Sequence, residues 1–88
     1  MDVPNAFSPN GDGKNDRVFI RGFGIAKVSW RIYNRWGELI YFSNDYLQGW
    51  DGKQSGKLLP QDVYHYVLDV EFSDGNKTIK KGDITLLR

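Results

Sequence analysis

Tyr64-His65-Tyr66-Val67-Leu68-Asp69-Val70-Glu71-Phe72 decides the fold. Tyr64, Tyr66, Leu68, Val70 and Phe72 recur at every second position. His65, Asp69 and Glu71 fall between them, with Val67 the apolar exception. A period of two puts the first set on one face of a strand and the second on the other, so this is a half-buried strand with one wet face. Asp74-Gly75 follows, a dipeptide whose backbone suits a tight hairpin, and Asn76–Lys80 reads as strand again. Ile84 and Leu86 then alternate with Asp83 and Thr85, which predicts a strand from Asp83 to Arg88. Gly82, just before it, suggests a bulge.

Upstream the same period returns. Val28, Trp30 and Ile32 alternate with Ser29 and Arg31. Arg35-Trp36-Gly37-Glu38 joins that run to Leu39–Ser43 as a tight hairpin, with Gly37 as its positive-φ residue. Val3–Ala6 and Arg17–Arg21 are shorter strand candidates, and Trp50-Asp51-Gly52 opens a polar loop that runs to Pro60. No segment carries ten residues of helical period with a cap. Short strands with frequent turns predict an all-β domain, an antiparallel immunoglobulin-like β-sandwich of about seven strands. A small closed barrel is the alternative.

The chain has 88 residues, which is one domain, 1–88, with Met1 read as an added start residue. Folding at this size buries only roughly 60% of the unfolded surface, so the core must be efficient. Three Trp, five Tyr and five Phe supply it with large rings. Lys and Arg number 12 against 11 Asp and Glu, and a net charge of +1 gives no strong pull toward nucleic acid or anionic lipid. The absence of cysteine removes disulfides, thiolate catalysis and Cys-ligated zinc. No apolar run approaches the ~18 residues of a membrane span, so membrane insertion is not expected. No basic stretch precedes an apolar one as in a secretory leader, and the expectation is an excised domain whose parent carries any export signal elsewhere.

Few residues offer chemistry. The single histidine, His65, sits on the polar face of a strand, and no nucleophile-elbow pattern surrounds Ser29, Ser43, Ser55 or Ser73. The domain is therefore expected not to be an enzyme. Phe7-Ser8-Pro9-Asn10-Gly11-Asp12-Gly13-Lys14-Asn15-Asp16 is a turn-forming loop that gathers oxygen donors. Asn10, Asp12, Asn15 and Asp16 are the candidate ligands for a structural calcium, the one cofactor considered. The calcium-loop template does not close, because Arg21 or Phe23 stands where a bidentate Glu belongs, and Lys14 adds a positive charge. Trp36 and Trp50 lie beside turns, where they either plug the ends of a small sandwich or stack on sugars. The first reading is favoured; the second makes a carbohydrate-binding or adhesion module the alternative function. Lys77, Lys80 and Lys81 form a basic cluster without interleaved aromatics, which suits a protected edge strand better than nucleic acid.

Five segments in order carry a resemblance that spans nearly the whole chain. They are Val3-Pro4-Asn5-Ala6-Phe7 with the loop to Asp16, Ile32-Tyr33-Asn34-Arg35-Trp36-Gly37-Glu38, Gly49-Trp50-Asp51-Gly52, Pro60 with Val63-Tyr64-His65-Tyr66-Val67-Leu68, and Gly82-Asp83-Ile84-Thr85-Leu86-Leu87-Arg88. This order resembles the gliding-motility-associated C-terminal domain of Bacteroidetes, also called the type B C-terminal sorting domain of the type IX secretion system. Gln61-Asp62 departs from it, since the family usually has a glycine before Val-Tyr. The resemblance implies a non-catalytic signal at the end of adhesins, motility proteins or secreted enzymes. Such a domain folds in the periplasm and directs its fused N-terminal cargo across the outer membrane to the cell surface or the medium. Its implied partners are the secretion machinery and a porin-like outer-membrane protein. The cleavage that related type A domains undergo is not carried over. The expected recognition residues are Arg35, Trp36 and Gly37 of the hairpin, and Ile84, Leu86 and Arg88 of the last strand.

Overall fold

The computed structural model describes residues 3–9 and 16–87. Every regular element in them is a strand: β1 Ala6–Phe7, β2 Ile25–Tyr33, β3 Leu39–Ser43, β4 Lys53–Gln54, β5 Lys57–Leu58, β6 Asp62–Phe72 and β7 Lys77–Leu86. Five of them form one sheet in the order β1-β7-β6-β2-β3, antiparallel except that β1 runs parallel to β7. This is the arrangement of the face that carries strands G, F, C and C′ in variable-type immunoglobulin domains. Two further marks of that fold are present. Trp30 on β2 is fully buried. Tyr64, near the start of β6, donates its hydroxyl to the Pro60 carbonyl at 2.7 Å, as a tyrosine corner does.

The second layer is short. Val18 and Trp50 exchange backbone hydrogen bonds at 2.8 and 2.9 Å, and the β4–β5 ribbon follows directly. Trp50 hangs from this layer into the core with 0% of its surface exposed. Its ring centroid lies 5.4 Å from Phe7, 5.3 Å from Tyr64 and 6.3 Å from Tyr41, and its Nε1–H donates to the Lys53 carbonyl. This aromatic hub, rather than a disulfide, ties the layers together. The expected inner face of β6 is buried at Tyr64, Tyr66, Leu68 and Val70, with Phe72 packed at its margin.

Several local expectations are corrected. Asn76–Lys80 and the strand from Asp83 are one strand, β7, because Gly82 makes no bulge: the β6–β7 register is unbroken from Asp62↔Leu86 to Glu71↔Lys77. Gly82 instead makes room for Tyr66, whose ring would lie 2.9 Å from a Cβ at that position. The bulges fall on β2, at Ile25/Lys27 and Ile32/Tyr33. The strand candidate Val3–Ala6 reduces to Ala6–Phe7, and Arg17–Arg21 contributes only the bridge at Val18. The polar loop after Trp50 is not all loop. Ser55 and Gly56, at φ 52 and 83, turn β4 onto β5 with two consecutive left-handed residues.

Candidate functional site

The β2–β3 hairpin is organised by Asn34. Its Oδ1 accepts from the backbone N–H of Trp36 at 2.9 Å and of Glu38 at 3.0 Å, and its Nδ2 donates to Glu38 Oε1 at 3.2 Å. The Gly37 N–H donates to the Asn34 carbonyl, and Gly37 takes φ 79 as expected. A short polar side chain that satisfies its own turn holds the tip in one shape. That shape presents Trp36 outward with 74% of its surface exposed, so Trp36 plugs nothing. The Arg35 guanidinium lies 5.2 Å from the centre of the Trp36 ring and 3.7 Å from the Asp62 carboxylate, at the start of β6. Arg35, Trp36 and Gly37 therefore form one preorganised, exposed knob, and an ordered aromatic beside an arginine is the kind of pair that anchors protein interfaces.

The terminal strand behaves differently. Ile84 and Leu86 are fully buried, so their side chains are closed to a partner. Arg88 lies outside the described residues. The outer face of β7 exposes Lys77, Ile79, Lys81 and Asp83, and its backbone edge is covered by β1 only at Thr85 and Leu86. Beside that edge runs a groove of about 810 Å³, lined among others by Lys27, Ser29, Asp69, Glu71, Lys77 and Ile79. Across the same face the Arg31 guanidinium pairs with Asp69 at 3.5 Å and lies 5.6 Å from the Phe42 ring centre.

Of the candidate calcium ligands, Asn10, Asp12 and Asn15 lie outside the described residues, and Asp16 is half-buried. Among the described residues no three acidic, His or Cys side chains gather into a metal cluster. His65 Nδ1 and Asp83 Oδ1 lie 2.6 Å apart on the exposed face. Of the serines, Ser43 bonds to its own loop and Ser73 to the Gly24 carbonyl. No hydrogen bond joins any of them to His65 among the described residues, so no nucleophile–base pair is assembled there. No described helix is long and apolar enough to cross a membrane.

Sequence reasoning gave no role to Asn34 or Asp62, and it read the outer positions of β7 only through the Lys77, Lys80 and Lys81 cluster, as a protected edge. An Asn three residues before a turn glycine is the signal for the first. The other two depend on which strands become neighbours.

The family described as CHU_C, type IX secretion signal domain, matches residues 1–86. No curated protein matches the chain. The crystal structure of CopC from Methylosinus trichosporium OB3b is similar at 20% identity and a TM-score of 0.66, over 98% of this chain and 89% of that chain. That likeness is one of fold alone.

Proposed function

Because the chain belongs to the type IX secretion signal domain family, we propose that it is a non-catalytic, folded sorting signal of the type B class. It takes a fused N-terminal cargo from the periplasm across the outer membrane to the cell surface or medium of a Bacteroidetes cell, with a porin-like protein among its partners. Such cargo comprises adhesins, secreted enzymes and motility proteins, and gliding motility is one process it serves. The family match over nearly the whole chain carries this reading. A globular signal is read by its surface rather than as an extended peptide. The hairpin knob at Arg35, Trp36 and Gly37 supports this, because it is exposed and already rigid, so little order has to be imposed on binding. Any calcium held by Asn10, Asp12, Asn15 and Asp16 braces the first loop and takes no part in chemistry.

The test is a reporter carrying a periplasmic leader and this domain at its C-terminus, expressed in a Bacteroidetes host with and without the translocon. The reporter is expected in the medium or on the surface only when both domain and translocon are present. Retention in the periplasm with both present rejects the reading. Trp36→Ala is expected to lower export while leaving the melting temperature unchanged.

The exposed ring of Trp36 favours one alternative, carbohydrate binding, while the buried Trp50 does not. Titration with a glycan panel decides it: specific, saturable quenching of Trp fluorescence that is lost in Trp36→Ala supports the sugar reading.

A further inference from the structure

We propose that the open edge of β7, from Lys77 to Asp83, is a docking line for an extended acidic segment of another protein, which adds to the sheet as a further strand. The proposal rests on the reading of this domain as a signal recognised through its folded surface, and it names the chemistry of one recogniser.

The backbone phase of β7 sets which groups are free. The Thr85 N–H donates to the Asn5 carbonyl at 2.8 Å, and the Leu87 N–H to the Phe7 carbonyl at 2.9 Å. Both therefore point away from β6. In an antiparallel ladder alternate residues turn both backbone groups outward. The register with β6 has no break back to Glu71↔Lys77, so Asp83, Lys81, Ile79 and Lys77 share the phase of Thr85. The pairing with β1 begins only at Ala6↔Thr85. Among the described residues no strand takes the outward N–H and C=O groups of Lys77, Ile79, Lys81 and Asp83. Neither a proline nor a bulge blunts this edge.

Charge selects the occupant. Lys80 and Lys81 form no ion pair among the described residues, and Lys77 reaches only Glu71, at 3.7 Å. Edge lysines oppose pairing between copies of one chain. Here a two-fold pairing centred on Ile79, Lys80 or Lys81 sets one lysine against another in every case. The same lysines favour an acidic strand. Residues directly opposite one another in a ladder share a face. Partner residues facing Lys77, Ile79 and Lys81 therefore stand on the outer face, beside the 810 Å³ groove. The matching pattern is acidic, any, apolar, any, acidic. It reads the same in both chain directions, and its central apolar residue covers Ile79, which is 62% exposed.

The probe is the peptide acetyl-Thr-Glu-Thr-Val-Thr-Glu-Thr-amide, titrated into the whole ¹⁵N-labelled domain. Expected are saturable shifts along Lys77–Asp83, slowed amide exchange at Ile79 and Lys81, and binding about tenfold weaker when both Glu are Lys, the effect of two exposed ion pairs. Ile79→Pro removes an outward donor that the domain's own ladder does not use, so it abolishes binding while the fold persists. Should that variant not fold, the double change Lys77→Glu, Lys81→Glu keeps the backbone and must reverse the preference between the two peptides. No saturable binding, equal binding of both peptides, shifts centred elsewhere, or dimerisation through β7 in sedimentation each overturn the proposal. Export separates it from the broader reading. If the intact fusion stays in the cell, the sorting function fails. If it and the Ile79→Pro fusion leave equally well and the peptide does not bind, only the docking line fails.

Discussion

Replacing Gly82 by Ala adds one methyl group to the middle of β7, and the surroundings decide its effect. A Cβ there lies 2.9 Å from both Cε2 and Oη of Tyr66 and 3.0 Å from its Cζ, well inside the ~3.5–4.0 Å of ordinary carbon contact. Tyr66 is buried against the sheet, so its ring cannot swing into solvent. Overpacking of this kind costs about 1–3 kcal/mol. Gly82 is not among the positive-φ glycines, so Ala meets no backbone strain and recovers roughly 0.5–1 kcal/mol of chain entropy. The net expectation is a loss of about 1–2 kcal/mol. For a chain of this length, unfolding entropy converts that into a fall of roughly 5–10 °C in melting temperature. The assay is urea and thermal unfolding of four proteins: the parent, Gly82→Ala, Tyr66→Val and the double variant. Removing the ring opens the space, so in the Tyr66→Val background the added methyl is expected to be neutral or stabilising. The two changes then couple by about 1–3 kcal/mol. A Gly82→Ala penalty that is the same with the tyrosine ring present or removed would refute the reasoning and restore the bulge as the reason for glycine.

Three further outcomes are expected. Burial raises the Tyr41 phenol above its ordinary value of 10.0, and its hydroxyl donates to the Gly49 carbonyl at 3.0 Å. The unfolded chain ionises first, so this stability is fully present below about pH 10 and is lost as pH rises through the folded pKa. Urea midpoints from pH 9 to 12 should fall more steeply in the parent than in Tyr41→Phe, and equal slopes would remove the claim. Asn34→Ala deletes the acceptor for two backbone donors and should lower stability by about 1 kcal/mol, with faster amide exchange at Trp36 and Glu38; unchanged exchange would show that the turn holds itself. Calcium bound by Asn10, Asp12, Asn15 and Asp16 should raise the melting midpoint on addition and lower it on chelation, and a midpoint indifferent to both ends that assignment.

What was legible in the sequence was whatever is decided by neighbours along the chain. The inner face of β6 follows from its own alternation, and the hairpin turns at Gly37 and Gly75 follow from their glycines, both at positive φ. What escaped depends on partners far away in sequence. Gly82 looks like a bulge until Tyr66, across the ladder, is seen to need its missing side chain. Trp36 and Trp50 both precede a turn glycine or an Asp-Gly, yet one is a solvent-facing knob and the other a core hub. Only the layer that the Val18 bridge places over the sheet separates them. The β4–β5 ribbon offered no alternation to read, because every residue of its two short strands is exposed.

The burial of Ile84 and Leu86 bears on how a folded signal can be recognised at all. A short chain has few apolar side chains, and these two are committed to the core beside Phe7 and Trp50. A recogniser that needed them would have to unfold the end of β7 and break the hub, at the expense of most of the stability of a domain this small. Two surfaces open without unfolding stand out among the described residues. One is a knob whose shape is fixed by Asn34, suited to a pocket that selects side chains. The other is the outward backbone of β7, suited to a strand that selects by charge and by one apolar residue over Ile79. The two surfaces also lie on different parts of the sheet, the knob at the β2–β3 turn and the edge on β7. Export measured in Trp36→Ala, Ile79→Pro and the double variant separates these roles. Equal defects in all three place the surfaces in one step, and a compounded defect in the double variant places them in two.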